Sequence, residues 1–453
     1  MPKKLDDFQI TVLKLFDLHY KKGDIIKKLL SVIFIISFIS IMLTALTLIA
    51  CKGKTGAREE NKTSIDQVSI EPYLVDDYRL EPPGGKTAFD YFKEEKIFSG
   101  WNLGNTLDSF SGSTGNETGW GNPPVNQELM NGVKAAGFDL IRIPVTWMGH
   151  IGAAPDYRIA PSRLNRVGEV VRMAHDAGLK VIINLHHDGA TASEQQESGW
   201  LSVGKSYRNE ADYKRITDQF THVWEQIAVY FQNYGDWLMF ESMNEIHDGG
   251  WCWSSAFRSN PGKQLEIVNN WNQVFTDAVR AAGGNNAERY LVIPAYCTNP
   301  QQTLSDSFKL PRDSAANRQV VTFHYYDPYE FGIQGSRFEW GSPADKKKTE
   351  DDFAPFKTRF IDKNIPVIIG ECGAVLQLYP NDPVKQEQAR KSRFEYIPYV
   401  FAAAKKYTLV PIFWDNGATG GNGEKFGLLD RRTGRPNSED SAALIRSMIN
   451  AVK

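Results

Sequence analysis

Beyond Thr87 the chain alternates two hydrophobic patterns. Short runs rich in β-branched and aromatic residues are separated by longer stretches whose apolar positions recur every three or four residues. The runs span Ile97 to Leu103, Leu140 to Val145, Val181 to His186, Leu238 to Met243, Leu291 to Tyr296, Val320 to Tyr325, Val367 to Glu371 and Val410 to Trp414. Between them lie helical stripes such as Leu164, Val167, Val171 and Ala174 before Gly178, and Leu265, Val268, Trp271, Phe275 and Val279 before Gly283. Strands apolar on both faces belong in a parallel sheet covered by helices. Such strand–helix units in series predict an α/β fold closed into a (β/α)8 TIM barrel. An open doubly wound sheet is the alternative, but no Gly-x-Gly-x-x-Gly follows the first strand, so nothing points to dinucleotide binding.

Ahead of the barrel pattern the chain reads as address and tether. Lys27 and Lys28 precede an uncharged, largely apolar run from Leu29 to Ala50 that closes on Leu48-Ile49-Ala50-Cys51. A basic flank, an apolar stretch and small residues before a cleavage point make a secretory signal. A cysteine at that junction resembles a bacterial lipobox, which implies cleavage before Cys51 and lipidation of its sulfur. The alternative is a signal-anchor helix, since the run is long enough to span a bilayer. Both put the remainder outside the cytoplasm. The expected organisation is a signal segment over 1–50, a polar tether over 51–87 and a catalytic domain over 88–453.

Composition narrows the partner. A net charge of −2 over 453 residues gives no basic footprint for nucleic acid. The chain carries 11 Trp, and an exposed Trp is best explained by something flat that stacks on it, as a sugar ring does. Setting Cys51 aside leaves Cys252, Cys297 and Cys372, an odd number that argues against a disulfide framework. Cys252 and Cys297 are expected as buried small hydrophobes. No obligate protein partner and no cofactor is implied.

Barrel enzymes carry their chemistry where strands end. Arg142 lies in the second predicted strand, His186 and His187 close the third, and Asn244 and Glu245 close the fourth. His324 and Tyr326 close the sixth, Glu371 the seventh and Trp414 the eighth. Glutamates on the fourth and seventh strands face each other across a barrel mouth, and paired carboxylates are the minimum equipment for glycoside hydrolysis. One donates a proton to the leaving oxygen and the other attacks the anomeric carbon. Asn244 is placed to bond the sugar 2-hydroxyl, while Arg142 and Tyr326 are placed to hold Glu371 ionised and oriented. The charge of Glu371 is expected to raise the pKa of Glu245. His186 and His324 are expected as donors around the sugar, and Trp414 as its floor.

In these residues the chain resembles glycoside hydrolase family 5, in the branch that holds endoglucanases and xyloglucan- or mixed-linkage-active enzymes. The matching stretches are Gly100 to Asp108, Ile141-Arg142-Ile143-Pro144-Val145, Asn184-Leu185-His186-His187-Asp188, Asn244-Glu245, His324-Tyr325-Tyr326, Gly370-Glu371-Cys372-Gly373 and Trp414-Asp415. Glu117 to Pro123 adds to the opening motif. The resemblance implies Glu245 as acid/base, Glu371 as nucleophile, retention of configuration and no metal. Cys372 departs mildly from it, since an aromatic residue often follows the nucleophile.

Several plainer readings stand beside these. Trp120, Trp147, Trp200, Trp251, Trp253, Trp340 and Trp414 fall at strand ends or in the following loops, where sugar platforms and loop packing are both open; Trp224 and Trp271 read as core. His186, His187 and Asp188 resemble a metal triad but lack a third convergent ligand, and His187 is read as a substrate contact or loop cap. Arg142 could serve as a structural ion pair. The substrate expected is a β-1,4-glucan, with a transglycosylase, a β-mannanase and a non-catalytic glycan-binding lipoprotein as alternatives.

Overall fold

The computed structural model describes residues 73–453 apart from 79, 81, 82, 190–198, 254, 260 and 422. The signal segment, Cys51 and most of the expected tether therefore lie outside the described residues. Strand β1 (Gly100–Leu103) is followed by a small antiparallel hairpin, β2 (Phe110–Ser111) and β3 (Thr114–Gly115). Then come β4 (Leu140–Ile143), β5 (Lys180–Asn184), β6 (Leu238–Glu241), β7 (Leu291–Pro294), β8 (Gln319–Tyr325), β9 (Val367–Cys372) and β10 (Leu409–Asp415). All but the hairpin close into one barrel in the order β1-β10-β9-β8-β7-β6-β5-β4, and every pairing within it is parallel. The fold is the predicted (β/α)8 barrel.

The alternation of side chains along each strand divides the core in two. Inward positions Leu140, Ile182, Met239, Val292, Val320, Ile368, Val410 and Ile412 fill the lower barrel. Outward positions pack under the helices, and the predicted stripe of Leu164, Val167, Val171 and Ala174 is buried on the helix Pro161–Asp176. Trp224 and Trp271 are fully buried, as their helical spacing predicts. Cys252, Cys297 and Cys372 are buried and free.

Four predicted strands run two residues past the observed ladder, those ending at Val145, His186, Met243 and Tyr296. Val145, Leu185 and Met243 remain fully buried although the regular pairing has ended, so hydrophobicity persists where hydrogen-bonded strand does not. His186, His187, Asn244 and Glu245 accordingly sit in the loops after β5 and β6, while Glu371 and Trp414 lie within β9 and β10. Strand β9 carries a bulge: Phe323 faces Ile369 and His324 faces Glu371, so Gly370 is the extra residue. That extra residue re-aims Glu371 into the mouth.

Part of the expected tether belongs to the barrel. Asp76 is buried, bonds Tyr234 Oη at 2.9 Å and pairs with Arg172; Tyr78 stacks on Tyr234 at 4.8 Å. Gly84 N donates to Asp236 Oδ2 at 2.6 Å. Contacts with the barrel thus reach back at least to Tyr73, whose hydroxyl meets Glu225 Oε2 at 3.5 Å, well ahead of residue 88. A fragment starting at 88 is expected to melt about 1–3 °C or more below one starting at 72, since an aromatic pair alone supplies about 0.5–1.5 kcal/mol. Equal melting temperatures by circular dichroism would contradict this docking.

Candidate active site

The site is organised around Arg142, whose side chain rises from β4 into the barrel and is fully buried. Its Nε donates to Glu241 Oε2 at 2.7 Å, Nη1 to Glu371 Oε1 at 2.8 Å and to Asn102 Oδ1 at 3.1 Å, and Nη2 to Asn244 Oδ1 at 2.8 Å. Burial opposes its charge, but Glu241 and Glu371 outweigh that and hold the guanidinium firmly protonated. Arg142 is therefore both a buried ion pair and a direct contact of Glu371. Glu241 was not singled out by sequence, although a carboxylate inside the apolar run Leu238-Met239-Phe240 was a visible signal. It also accepts from Asn184 Nδ2 at 2.8 Å.

Glu371 and Glu245 have different surroundings. Glu371 accepts from Arg142 and, at 3.0 Å, from the Tyr326 hydroxyl. Burial raises its pKa and Glu245 adds to that, while His324 and Arg142 pull it back. Tyr326 keeps its proton, because burial and the adjacent Glu371 push its pKa well up. Among the described residues Glu245 is met by His324 Nδ1 at 2.6 Å, and its side chain keeps 23% of its surface exposed. Its pKa rises to about 7, chiefly by burial, with Glu241 raising it further and Arg142 opposing. The expected source of that shift, the charge of Glu371, is replaced by burial as the main cause.

The remaining predicted residues gather around this pair. His186 is buried beside Glu371, with Nε2 3.9 Å from Oε1, and lies parallel to Trp414 with ring centres 5.8 Å apart. Burial depresses its pKa well below the ordinary value, so the ring is neutral. Trp414 packs on Val375 and Phe426, and Gly104 lies so close that a Cβ there would fall 2.8 Å from the indole. His187 turns to the outer wall, against Trp120 at 5.3 Å and Phe110 at 5.8 Å, and burial lowers its pKa to about 4.

Two groups among the described residues have metal-ligand spacing. One is Glu245, His324 and Glu371, already bound to each other and to Arg142 and Tyr326. The other is Asp108, His186 and His187. Asp188, which the sequence grouped with the histidines, is instead taken up by Trp147 N and Trp200 Nε1. Asp108 supplies the convergent carboxylate, but it accepts from the backbone of Asn105 and Thr106 at 3.0 and 2.7 Å. It reads as a loop anchor.

The decisive spacing is between the two glutamates. An oxygen of Glu245 lies within 4.8 Å of one of Glu371, on the side of the roughly 5–5.5 Å carboxyl spacing of retaining glycosidases and short of the roughly 6.5–9.5 Å of inverting ones. Comparison with known proteins agrees. Residues 104–420 match the cellulase family, glycosyl hydrolase family 5. The chain belongs to this family. Family 5 relatives include Endoglucanase A of Paenibacillus barcinonensis, 38% identical over 74% of this chain and 83% of that protein. A xyloglucan-specific endo-β-1,4-glucanase of Bacteroides ovatus is 36% identical over 78% of this chain and 68% of its own. The structure of a Bacteroidetes-affiliated family 5 cellulase linked with a polysaccharide utilization locus aligns with a TM-score of 0.75 at 37% identity, covering 82% of this chain and 94% of that one. The chain is accordingly a glycoside hydrolase.

Replacing Arg142 with Met is expected to cost about 3–5 kcal/mol of unfolding free energy, because Glu241 is left buried without its cation. Adding Glu241→Leu should recover part of that loss. Urea unfolding of the two variants checks the pairing, and an unchanged single variant would contradict it.

Proposed function

We propose that this chain is a retaining endo-β-1,4-glucanase in which Glu371 is the nucleophile and Glu245 the acid/base. The observation that carries the reading is the approach of their oxygens to within 4.8 Å, in environments that treat the two carboxyls differently. Glu371, held by Arg142 and Tyr326, attacks the anomeric carbon as Glu245 passes its proton to the departing glycosidic oxygen. Glu245 then takes a proton from the water that releases the sugar from Glu371. Asn244 offers its Nδ2 to the 2-hydroxyl, since its Oδ1 is occupied by Arg142. His186, stacked parallel to Trp414, borders the reacting sugar.

Aromatic side chains extend the site in two directions. Trp120, 38% exposed, follows His187 on the side of the hairpin β2–β3. Trp251 stacks on His247, two residues beyond Glu245, and Trp253 beside it is 63% exposed. Exposed aromatic rings near both Glu245 and His187 suit contacts with several units of a long chain and hence internal attack. Trp147 and Trp340, by contrast, are loop packing: both are buried. The names of the Paenibacillus and Bacteroides relatives support β-1,4-glucan as the backbone.

The reading extends to location, with Cys51 as the lipid attachment of a secreted bacterial envelope protein. Its support is the run Leu29 to Ala50 and the Leu-Ile-Ala-Cys junction. Cys51→Ala should abolish incorporation of labelled palmitate; labelling that persists would overturn it.

The catalytic reading predicts reducing-sugar release from mixed-linkage glucan, carboxymethylcellulose and xyloglucan that Glu371→Gln abolishes. Activity that survives in Glu371→Gln, or none on any glucan from folded protein, would refute it. It also fixes the pH dependence of kcat/KM. The nucleophile must be ionised and the acid protonated, so activity rises as Glu371 ionises, at a pH that burial moves above the ordinary glutamate value of about 4.3, and falls as pH rises through about 7. An aryl cellobioside whose leaving group needs no proton should show no such alkaline limb, and Glu245→Gln should lower kcat/KM on glucan far more than on that substrate.

A further inference from the structure

His324 meets Glu245 through Nδ1, and the same nitrogen lies 3.5 Å from Glu371 Oε2. Its other nitrogen, Nε2, is buried and has no hydrogen-bond partner among the described residues. Thr322 precedes it by two residues on β8, on the same inward face, and is fully buried. Its Oγ1 also has no partner. Both atoms border the bulge at Gly370: a Cβ there would fall 2.6 Å from Thr322 Oγ1 and 3.2 Å from His324 Nε2. Any side chain at 370 would crowd both atoms. A hydroxyl and an imidazole nitrogen so placed are within reach of each other through one water, and leaving such a group unmet costs about 1–3 kcal/mol.

Which nitrogen of His324 carries its proton decides what Glu245 can do. Burial lowers the pKa of His324 to about 4, so the ring is neutral and has a single N–H. With that proton on Nδ1, the ring donates to Glu245 Oε1, and the proton of the acid stays on Oε2 for the glycosidic oxygen. With it on Nε2, bare Nδ1 would draw the proton of Glu245 toward itself and away from substrate. A bridge that donates to Nε2 selects the first arrangement, whereas one that accepts from Nε2–H selects the second.

We propose that the Thr322 hydroxyl, through one bridging water beside Gly370, donates to His324 Nε2 and so fixes the Nδ1–H tautomer that aims Glu245 at the leaving group. Thr322 touches no substrate and is a positioning residue. The inference rests on Glu245 as the proton donor. The charged or titratable groups around His324 are Glu245, Glu371, Arg142, Glu241 and His186, and none of them donates to Nε2.

The test compares kcat/KM on cellopentaose, whose leaving group needs a proton, with that on 2,4-dinitrophenyl β-cellobioside, whose leaving group does not. Thr322→Val should lower the first about tenfold or more, part of the roughly 10² to 10⁴ that a positioned acid supplies, and change the second by less than about twofold. Thr322→Ser should restore cellopentaose cleavage. Equal losses on both substrates, or no loss on either, overturn the proposal. Should Thr322→Val fail to fold, imidazole ¹⁵N shifts of the unsubstituted protein decide the matter: a protonated Nδ1 is expected, and a protonated Nε2 overturns it. An unsubstituted chain inactive on both substrates would instead count against the glycosidase reading itself.

Discussion

The burial of one guanidinium inside the barrel governs the rest of the site. A charge removed from water costs several kcal/mol unless it is paired and fully hydrogen-bonded. Arg142 meets that demand with Glu241, Glu371, Asn102 and Asn244, which come from β6, β9, β1 and the loop after β6. Asn102 lies opposite Arg142 in one ladder and opposite Trp414 in the other. It also donates to the carbonyl of Gly370, at the bulge that turns Glu371 inward. A slip of one residue in any of these strands would turn the partner outward and leave the charge unmet. The ion network therefore ties barrel register to the placement of the two reacting carboxyls.

The same network separates their chemistry. Glu371 receives Arg142 and Tyr326, both donors, while Glu245 receives His324 and keeps an open face to the mouth. Two carboxyls close enough to interact titrate as a coupled pair, and unequal donors settle which one is ionised. The neutral histidines differ in what they do: His186 lies parallel to Trp414, while His324 meets Glu245 through Nδ1, which also lies 3.5 Å from Glu371.

Much of this was legible in the sequence because barrel strands advertise themselves by composition and barrel sites by position. All eight strands were found where β-branched and aromatic residues cluster. Their ends were overrun because burial continues past the last ladder bond at Val145, Leu185 and Met243. Arg142, Asn244, Glu245, His186, His324, Tyr326, Glu371 and Trp414 all converge, since each lies at or just beyond a strand end. Glu241 escaped because its cation is 99 residues away and periodicity carries no trace of such a partner. Asp188 stands beside His186 and His187 in a pattern that mimics metal ligands, and its actual partners, a backbone amide and the Trp200 indole, cannot be read from spacing. The segment around Asp76 and Tyr78 looked like tether because it is polar and aperiodic. Its order comes from docking onto Arg172 and Tyr234.

The central claim is a covalent route through Glu371. Incubation with 2,4-dinitrophenyl 2-deoxy-2-fluoro-β-cellobioside, followed by mass spectrometry of the digested protein, tests it directly. The account predicts one fluorocellobiosyl adduct, on the peptide containing Glu371, and none in Glu371→Gln. An adduct on another residue, or turnover that gives the inverted anomer with no adduct, would contradict it.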